Sequence, residues 1–584
     1  MSLWRERLIL TGLIAVAIAA LVTLPASSRP TTAPAAWDGE PQFSQERAWA
    51  DVVTLATRFP RRWSGGPDRH DAAEWIAATL VAMGLDVRRE TFGAHLGPRD
   101  PITLENIWGG SPGTERRDEI IVVIGNYDMA PTSFQAASDT AGHVGTILEL
   151  ARLLSATDHR RTFIFVFPDG EEWGMLGARH FVQTFPGRER LTAALSIEDL
   201  DVGRFAALGI DATGQFRGFA PFWLRGLAAD AARREGVRTD EVGPVFEWLQ
   251  RSLLVSRTDQ GPFLAAGVQA IDLAGRSDDL ALKSAVYHLP TDTIEKMRPE
   301  SVLAYGRVQE RIVRGLDALP SIPRASGYYL RLAPDRVVPA LPLAVRQGLV
   351  FLPLAVAVVL RRRRLGPIRH ALAAESLRCG LVLAVLLIWV GTIKVLPLLA
   401  VMPRYTVYPP PPRHPLLTTV LGLPILVSAA VLVSAAVVAM IGLRRVRGGE
   451  MDSVHAGRRA TALLVWLLAV SLVALYDNPF AAVTFLLLPA VLWLWISPGR
   501  SAVGRAVNGL LVLLGFVVVV MLFVQYGADL RIGGYILWYV FMALAYGQFT
   551  TLQIVLTFAT LAVGLRLLAL ATVGRVAAVP TASP

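Results

Sequence analysis

Long apolar runs fill the chain from about Leu341 onward, and this feature most constrains how the chain can fold. A helix needs about 20 consecutive apolar residues to cross the hydrocarbon core of a bilayer. The run from Gly533 to Ala571 is too long for one ordinary span and predicts two helices broken near Gly547-Gln548. The other predicted spans of this half lie at 342–360, 378–402, 416–443, 460–476, 479–496 and 506–525. This half of the chain is therefore predicted to form a membrane-embedded helical bundle.

A further apolar run, Leu8 to Leu24, lies near the N-terminus behind Arg5 and Arg7. The small residues 26–28 would suit cleavage of a signal peptide, but a retained anchor is the favoured interpretation. With this anchor the chain has eight or nine predicted spans. The mean hydropathy of +0.45 and a hydrophobic content of 53% exclude a single soluble domain.

The distribution of apolar runs predicts three parts. They are an N-terminal anchor at 1–29, a domain of soluble composition at 30–335 and a multi-span membrane domain of about seven or eight helices at 336–584. Arginines cluster at 361–364 and again between 444 and 459, and short cytoplasmic loops are enriched in Lys and Arg. Both arginine loops and the N-terminus are therefore predicted to be cytoplasmic. The 30–335 domain and the loop at 403–415 then lie outside the cytoplasm, at a plasma or inner membrane or its equivalent.

The formal charge of +10 does not point to nucleic acid. Many of the arginines are explained by topology, and no basic stripe with interleaved aromatic residues is present, so no nucleic-acid partner is predicted. Arg346 and Arg566 fall near predicted span ends, where long side chains extend to the interface. The single cysteine, Cys379, lies inside a predicted span, which excludes an intrachain disulfide and a thiolate metal site.

Within 30–335, short apolar strands alternate with helical patterns. The helix Gly142–Ser155 has apolar residues at helical spacing, and another helix follows Glu172. The alternation predicts an α/β fold, with a mainly parallel mixed sheet and helices on both of its faces. Ligands bind such sheets at the carboxyl ends of the strands. The predicted strands lie at 119–125, 162–167, 194–197 and 268–273.

Acidic residues and one histidine occur where that rule places a ligand site. Glu171 and Glu172 directly follow the strand at 162–167. An isolated Glu-Glu pair is more often a solvated turn that caps the next helix. Adjacent carboxylates repel each other, however, and a cation bound by Glu172 would relieve the repulsion and leave Glu171 free to move a proton. The residues that favour this second interpretation, each in a loop or at a strand end, are Asp128, Asp139, Asp201 and His288.

Six short motifs in order carry a resemblance to a known family. In order and spacing over roughly residues 45–318 they resemble the co-catalytic zinc aminopeptidases of metallopeptidase family M28, which also contains the glutaminyl cyclases. An anchor, a peptidase-like domain and later spans are also similar to the endoplasmic reticulum metallopeptidases of this family. The motifs are GNYD at 125–128, SDTAG at 138–142, DGEE at 169–172, LDVG at 200–203, DQGPF at 259–263 and YH at 287–288.

The resemblance implies two zinc sites that share Asp139. Glu172 and His288 would complete the first site and leave a position open for water or substrate. Asp201 would belong to the second site, where Asn126 stands in place of the family's histidine. An amide oxygen is a poorer zinc ligand than an imidazole nitrogen, so one or two zinc ions are expected, with the second bound weakly.

Asp199 is an alternative to Asp201, because residues two apart on a strand face the same way. Asp201 is preferred, since Val202-Gly203 follows it as in the family pattern. No residue evidently replaces the missing histidine, because His143 and His180 are interpreted as ordinary helix residues.

The resemblance also implies the catalytic roles. Glu171 would be the general base, and Asp128 the acid that orients a metal ligand. Asp259 and Tyr287 would lie near the substrate pocket.

These features predict a membrane-bound zinc exopeptidase, an aminopeptidase-like enzyme that hydrolyses peptide bonds outside the cytoplasm. Its expected partners are peptides with a free N-terminal amino acid and the lipid bilayer. Two alternatives stay open. One is single-zinc acyl transfer similar to that of the glutaminyl cyclases, and the other is a catalytically silent binding or scaffold domain similar to the GPI transamidase attachment subunit.

Overall fold

The computed structural model of the chain describes residues 3–97, 100–399, 422–445, 453–496, 501–529 and 536–572. Arg29–Val337 forms one compact unit, and the helices before and after it in the chain form the other. The division into an anchor, a soluble domain and a membrane domain at the boundaries given above stays a prediction. The two units are described separately below.

Two sheets lie among the described residues. The larger has the strand order β2-β3-β5-β4-β6-β9-β7-β8, and the smaller has the order β1-β11-β10. The strands are β1 (Arg29–Pro30), β2 (Asp86–Gly97), β3 (Asp100–Ser111), β4 (Arg116–Ile124), β5 (Arg161–Phe167), β6 (Leu191–Leu200), β7 (Phe205–Asp211), β8 (Arg238–Asp240), β9 (Gln269–Ser277), β10 (Leu330–Ala333) and β11 (Arg336–Val338).

Helices connect and cover the larger sheet and make up the second unit. Those of the first unit are α2 (Gln45–Arg58), α3 (Arg69–Ala82), α4 (Gly142–Ser155), α5 (Leu176–Thr184), α6 (Phe222–Arg234), α7 (Pro244–Leu253), α8 (Gln260–Ala265), α9 (Leu280–Ser284) and α10 (Pro299–Ala318). Those of the second unit are α1 (Leu3–Val22), α11 (Ala340–Leu349), α12 (Leu352–Leu365), α13 (Arg369–Val395), α14 (Gly422–Arg445), α15 (Ser453–Asp477), α16 (Pro479–Leu492), α17 (Ala502–Leu514), α18 (Val517–Asp529), α19 (Ile536–Ala545) and α20 (Thr551–Thr572).

The predicted fold class is confirmed. The central strands β5, β4, β6 and β9 run parallel, while β3 pairs antiparallel with β5 and β7 pairs antiparallel with β9. All four predicted strands overlap observed strands, and the predicted helix at 142–155 coincides with α4. The sheet is therefore mixed but mainly parallel at its centre, where a ligand site is expected.

The apolar side chains of β4 alternate between two buried cores, one on each face of the sheet. Ile121 and Val123 pack into a core shared with α2, α4 and α10, whereas Ile120, Val122 and Ile124 pack into a second core with α5 and α8. Successive side chains of a strand point to opposite faces, so the part of β4 that is covered on both faces, residues 120–124, is apolar at every position. Helices on both faces leave the carboxyl ends of the strands as the open edge.

The second unit contains four described helical stretches that are long and apolar enough to cross a membrane. They are Ala340–Leu365, Arg369–Leu399, Val454–Asp477 and Thr551–Ala571. A pair bent by 45°, Ala502–Leu514 and Val517–Tyr526, would be a fifth if the two helices form one span.

These four or five stretches are counted over the described residues alone, and the predicted eight or nine spans of the whole chain stay a prediction. The predicted span at 416–443 overlaps α14, in which Leu426–Val437 is the apolar part with described side chains, and the predicted span at 479–496 coincides with the apolar helical stretch Pro479–Trp495. The predicted break near Gly547 is present between α19 and α20, where Gly547 has a φ of 76°. The predicted loop at 403–415 lies outside the described residues.

A buried ionic cluster links helices of this unit. The Glu375 carboxylate on α13 lies 3.0 Å from Arg378, 2.5 Å from Arg459 of α15 and 3.1 Å from Arg566 of α20. Arg566 is thus only 13% exposed and binds Glu375, whereas the sequence suggested that it extends to the interface. Sequence position alone did not identify its acidic partner.

Candidate metal centre

Asp139, Glu172 and His288 converge on one point at the carboxyl edge of the large sheet. Each offers one ligand atom, and these atoms lie within 4.8 Å of one another. Nε2 of His288 is 3.1 Å from Oδ2 of Asp139 and 3.4 Å from Oε1 of Glu172. No other group of three or more Asp, Glu, His or Cys side chains with this geometry occurs in the part of the chain that the structure describes.

Glu172 is carried by a tight turn that begins where β5 ends. Gly170 has a φ of 83°, a conformation that glycine adopts readily, and an added Cβ would lie 2.8 Å from a methyl group of Leu104. The Glu171 backbone oxygen then accepts hydrogen bonds from the backbone N–H groups of Gly174 and Met175. The turn therefore fixes both glutamates at the end of the strand.

Asp139 lies in a single π-helical turn, Ala137–Ala141, immediately before α4. Its own backbone is not helical, with φ −128° and ψ 83°. The backbone N–H groups of Ser138 and Asp139 donate to the two carboxylate oxygens of Asp292, at 2.9 and 3.2 Å. Such π-bulges occur often at functional sites. Asp292 thus positions Asp139. This role was not predicted from the sequence. The only available signal was that Asp292 lies four residues after His288.

His288 is held in a conformation that non-glycine residues seldom adopt, with a φ of 55°. The Thr132 hydroxyl donates to its backbone oxygen at 2.7 Å, and the Tyr287 ring stacks on the imidazole with ring centroids 4.0 Å apart. Backbone strain of this kind is found at functional sites, where the surrounding structure maintains it. Tyr287, predicted to lie near the substrate pocket, is in direct contact with a candidate ligand.

The electrostatics of this group fit a bound cation. Burial raises the pKa of Glu172 to about 8, although His288 opposes the shift. Burial lowers the pKa of His288, but Glu172 and Asp139 outweigh it and raise that pKa to about 10. Oε1 of Glu172 is buried and makes no hydrogen bond to any described residue. Two carboxylates and one imidazole form a ligand set that suits zinc, and a cation would take over the neutralising role of the His288 proton.

Asn126 and Asp128 follow β4 beside this group. The Asn126 side-chain N–H donates to the Asp128 backbone oxygen at 3.1 Å, and its amide oxygen is buried without a hydrogen-bond partner among the described residues. Asp128 accepts from the Ser64 hydroxyl at 3.1 Å and from the Glu171 backbone N–H at 3.2 Å. Burial, reinforced by Asp169, raises the pKa of Asp128 to about 7. Asp128 therefore anchors the turn that carries the glutamate pair.

The two aspartates at the end of β6 are placed differently. Both carboxylate oxygens of Asp201 are engaged, one by the Lys283 ammonium group at 2.8 Å and the other by the Ser277 backbone N–H at 3.0 Å. Burial, followed by the charge of Asp199, raises the pKa of Asp139. Asp199 itself lies 3.8 Å from the Arg276 guanidinium, and the metal role of each aspartate stays a prediction.

His143 and His180, interpreted from the sequence as ordinary helix residues, both lie outside the group of three ligand atoms. The ring Nε2 of His143 is 2.8 Å from the Asn126 backbone oxygen, and burial lowers the pKa of this histidine to about 4. His180 stacks on Phe92 and lies 3.1 Å from the Glu90 carboxylate. Neither histidine is therefore among the three candidate metal ligands.

Glu171 lies among further buried acids. Burial raises its pKa well above the usual range, and the charges of Glu198, Glu172, Asp259 and Asp128 add to the shift. The Asp259 backbone N–H donates to the Glu198 carboxylate at 3.2 Å, and both carboxylate oxygens of Asp259 are buried without a described hydrogen-bond partner. Asp259 is thus close enough to act on Glu171 electrostatically, next to the candidate centre.

A fully buried arginine, Arg62, supports the loop between β4 and α4. Its guanidinium donates to the backbone oxygens of Tyr127, Gln135 and Ala136, at 3.0, 2.6 and 2.9 Å. Burial lowers its pKa to about 10, while the charges of Asp292 and Asp139 oppose the shift. Arg62 was not predicted as a site residue, because all but one of its hydrogen-bond partners are main-chain oxygens, which leave no sequence signal.

Replacement of Arg62 by methionine should destabilise the protein strongly. Arg62→Met leaves several buried carbonyls unpaired and leaves the buried charges of Asp292 and Asp139 without this positive neighbour, which costs about 3–5 kcal/mol. Arg61→Met is the matched control, because Arg61 is 55% exposed and pairs with Asp68 at the surface, where the loss is within about 1 kcal/mol. Thermal unfolding of the two full-length variants in detergent measures the difference. Equal unfolding midpoints would contradict the assigned role of Arg62.

The sheet edge, the buried acids and the Asp-Glu-His group together define a metallopeptidase-type centre on an α/β domain. Residues 106–313 match the family model described as Peptidase family M28. The chain therefore carries a peptidase family M28 domain, which confirms the resemblance seen in the sequence motifs.

Several curated proteins are similar to this chain. It is 26% identical over 260 residues to a vacuolar membrane protease of Candida albicans (strain WO-1), covering 44% of this chain and 28% of that protein. It is 30% identical over 165 residues to a probable zinc metalloprotease of Pyricularia oryzae, covering 25% of this chain and 33% of that protein. The matches span about a third or less of these relatives.

Solved structures with a similar chain trace include a zinc aminopeptidase from Bacillus subtilis, with 15% identity and a TM-score of 0.40 over 49% of this chain and 100% of that chain. The glutaminyl cyclase of Porphyromonas gingivalis has 18% identity and a TM-score of 0.40 over 47% of this chain and 98% of that chain.

Proposed function

We propose that this protein is a membrane-bound zinc exopeptidase that removes N-terminal residues from peptides outside the cytoplasm. The observation that carries the proposal is the convergence of Asp139, Glu172 and His288 within an M28 domain, with Glu171 beside them. The relatives described as vacuolar membrane proteases and probable zinc metalloproteases support both the activity and the membrane location.

One zinc ion per chain is the expected content. Asp139, Glu172 and His288 would hold it, and zinc in such a site polarises a carbonyl group and activates water. A second ion would have to bind Asn126, a weak ligand, together with an aspartate from the end of β6. Asp201 is engaged by Lys283, whereas the charge of Asp199 acts on Asp139 and raises its pKa after burial.

Glu171 is the residue proposed to move the proton. Its backbone N–H donates to Asp128, and its buried carboxyl group lies close enough to Glu172 for the two charges to interact. It would accept a proton from the attacking water and deliver it to the amine that leaves. A cation held by the neighbouring acids offsets the repulsion that raises the pKa of Glu171 and so favours its basic form.

The acids around Glu171 also favour an exopeptidase. Glu198 and Asp259 are buried beside it, and neither carboxylate oxygen of Asp259 has a described hydrogen-bond partner. A protonated peptide amino terminus would supply the positive charge and the donors that these acids lack. An acetylated peptide would leave them unpaired and is expected to bind poorly.

The membrane location rests on the apolar helices of the second unit. Four of the described helices are long and apolar enough to cross a bilayer. The clusters of arginine at 361–364 and 444–459 support a cytoplasmic location for those segments and an extracytoplasmic location for the peptidase domain.

The test uses the purified full-length chain in lipid nanodiscs. Zinc content is measured by mass spectrometry, and turnover is followed on one peptide with a free or an acetylated N-terminus. About one zinc per chain and release of the first residue from the free peptide alone are expected. Cleavage within the acetylated peptide would contradict an exopeptidase. Cyclisation of an N-terminal glutamine without hydrolysis would favour acyl transfer, and bound zinc without any turnover would favour a silent domain.

A further inference from the structure

The hydroxyl group of Ser64, in the loop between α2 and α3, lies between two buried carboxylates beside the candidate metal centre. Its Oγ is 3.1 Å from Oδ2 of Asp128 and 2.6 Å from Oδ1 of Asp169. Ser64 is only 4% exposed, and both aspartates are fully buried. A hydroxyl group rotates its single hydrogen to suit its partners, so this one short side chain links the two aspartates.

The two oxygens of the Asp128 carboxylate have different partners. Oδ2 faces Ser64, whereas Oδ1 accepts from the Glu171 backbone N–H at 3.2 Å. The carboxylate cannot rotate without loss of one of these hydrogen bonds, because they are made at opposite oxygens. Ser64 thus fixes the carboxylate that anchors the Glu171 backbone, and the next residue in the chain is the candidate ligand Glu172.

Asp169 is the first residue of the turn that carries the glutamate pair. Its Oδ2 accepts from Nη1 of Arg69 at 3.1 Å and from the Glu105 backbone N–H at 3.2 Å. Arg69 belongs to α3, and Glu105 belongs to β3. The start of the turn is therefore bonded to two neighbouring elements, and Ser64 connects it with Asp128, which follows β4.

We propose that Ser64 is a positioning residue for peptide hydrolysis, because it connects the segments after β4 and β5 and keeps the turn with Glu171 and Glu172 in its reactive geometry. The inference rests on the proposed function, in which Glu171 moves a proton and Glu172 binds zinc. Ser64 acts through Asp128 and Asp169, since its hydroxyl group bonds to these side chains and not to the metal ligands. Removal of this donor leaves two like charges close together, and their repulsion displaces the turn. A displacement of about 1 Å lowers a rate by about 100-fold.

The test compares Ser64→Ala with the wild type as full-length proteins in nanodiscs, on the peptide with a free N-terminus. We expect kcat at saturating zinc to fall about 10–100-fold with little change in KM, and zinc affinity, measured by competition with a chelator, to fall about 10-fold. Ser111→Ala is the matched control. Ser111 is 6% exposed and lies 2.8 Å from His159, but it pairs with Phe163 near the opposite end of β5 from the glutamates. This control should keep the wild-type kcat and zinc affinity.

Further variants separate positioning from a general loss of packing. Ser64→Thr keeps the hydroxyl group and should recover most of the wild-type kcat. Arg69→Met removes an anchor of Asp169 and should lower kcat by a smaller factor than Ser64→Ala. The two effects should combine to less than their product, because both act through Asp169. Arg89→Met is the control for arginine removal and should keep the wild-type kcat, since Arg89 binds the Glu105 carboxylate rather than Asp169.

The outcomes separate this inference from the proposed function. An unchanged kcat in Ser64→Ala overturns the inference, and so does an equal loss in Ser111→Ala. Effects of Ser64→Ala and Arg69→Met that multiply also overturn it, whatever the stability of Ser64→Thr. If the wild type binds zinc but turns over no peptide, the proposed function alone fails, and an unchanged zinc affinity in Ser64→Ala then overturns the inference. A wild type that binds no zinc overturns both.

Discussion

Glu171→Gln should keep its zinc and lose peptide turnover by about 10²–10⁴-fold, the usual contribution of a positioned general base. The amide has almost the same shape as the carboxylate but cannot accept the proton of the attacking water. Glu171 is not among the three side chains whose ligand atoms converge, so the candidate zinc site is intact in this variant. Zinc content and the rate of N-terminal residue release are measured on the same preparation.

The neighbouring glutamate provides the matched comparison. Glu172→Gln makes the same chemical change one residue away, but Glu172 belongs to the ligand group, so this variant should lose zinc as well as turnover. Loss of zinc in Glu171→Gln would show that Glu171 is itself a ligand. Retention of more than about a tenth of wild-type turnover would contradict its role as general base.

The sequence predicted those parts of the fold that depend on local patterns. Residues 120–124 of β4 and 163–167 of β5 are covered on both faces and are therefore continuous apolar runs, and the acids that follow them were located by the rule for parallel sheets. The positions of Glu172 and His288 followed from motifs. In each case the signal lies within a few residues of the feature that it predicts.

The missed features depend on main-chain partners or on contacts between distant segments. Asp292 acts through the backbone N–H groups of Ser138 and Asp139, and no residue type at those positions reveals it. The apolar and polar periodicity of α7 is that of an ordinary amphipathic helix. Its buried face carries Glu247, which pairs with Arg225, 22 residues earlier in the chain, and with the Arg331 backbone N–H.

His288→Ala should abolish tight zinc binding. Removal of the imidazole leaves two carboxylate ligands, Asp139 and Glu172, and we expect at least a 100-fold loss of affinity, since even loss of a group that only supports a ligand costs about 10–100-fold. Zinc at 100 times its dissociation constant stabilises a protein by about 2.7 kcal/mol. The rise of the thermal unfolding midpoint on addition of zinc should therefore be present in the wild type and absent in the variant.

His180→Ala is the control for a general effect of histidine removal. His180 stacks on Phe92 and lies 3.1 Å from the Glu90 carboxylate, away from the three converging ligand atoms. Its replacement should lower the unfolding midpoint slightly without changing the zinc-dependent rise. A normal zinc response in His288→Ala would show that the cation is held elsewhere. An absent response in the wild type would instead show that the Asp-Glu-His group is stabilised by the His288 proton alone.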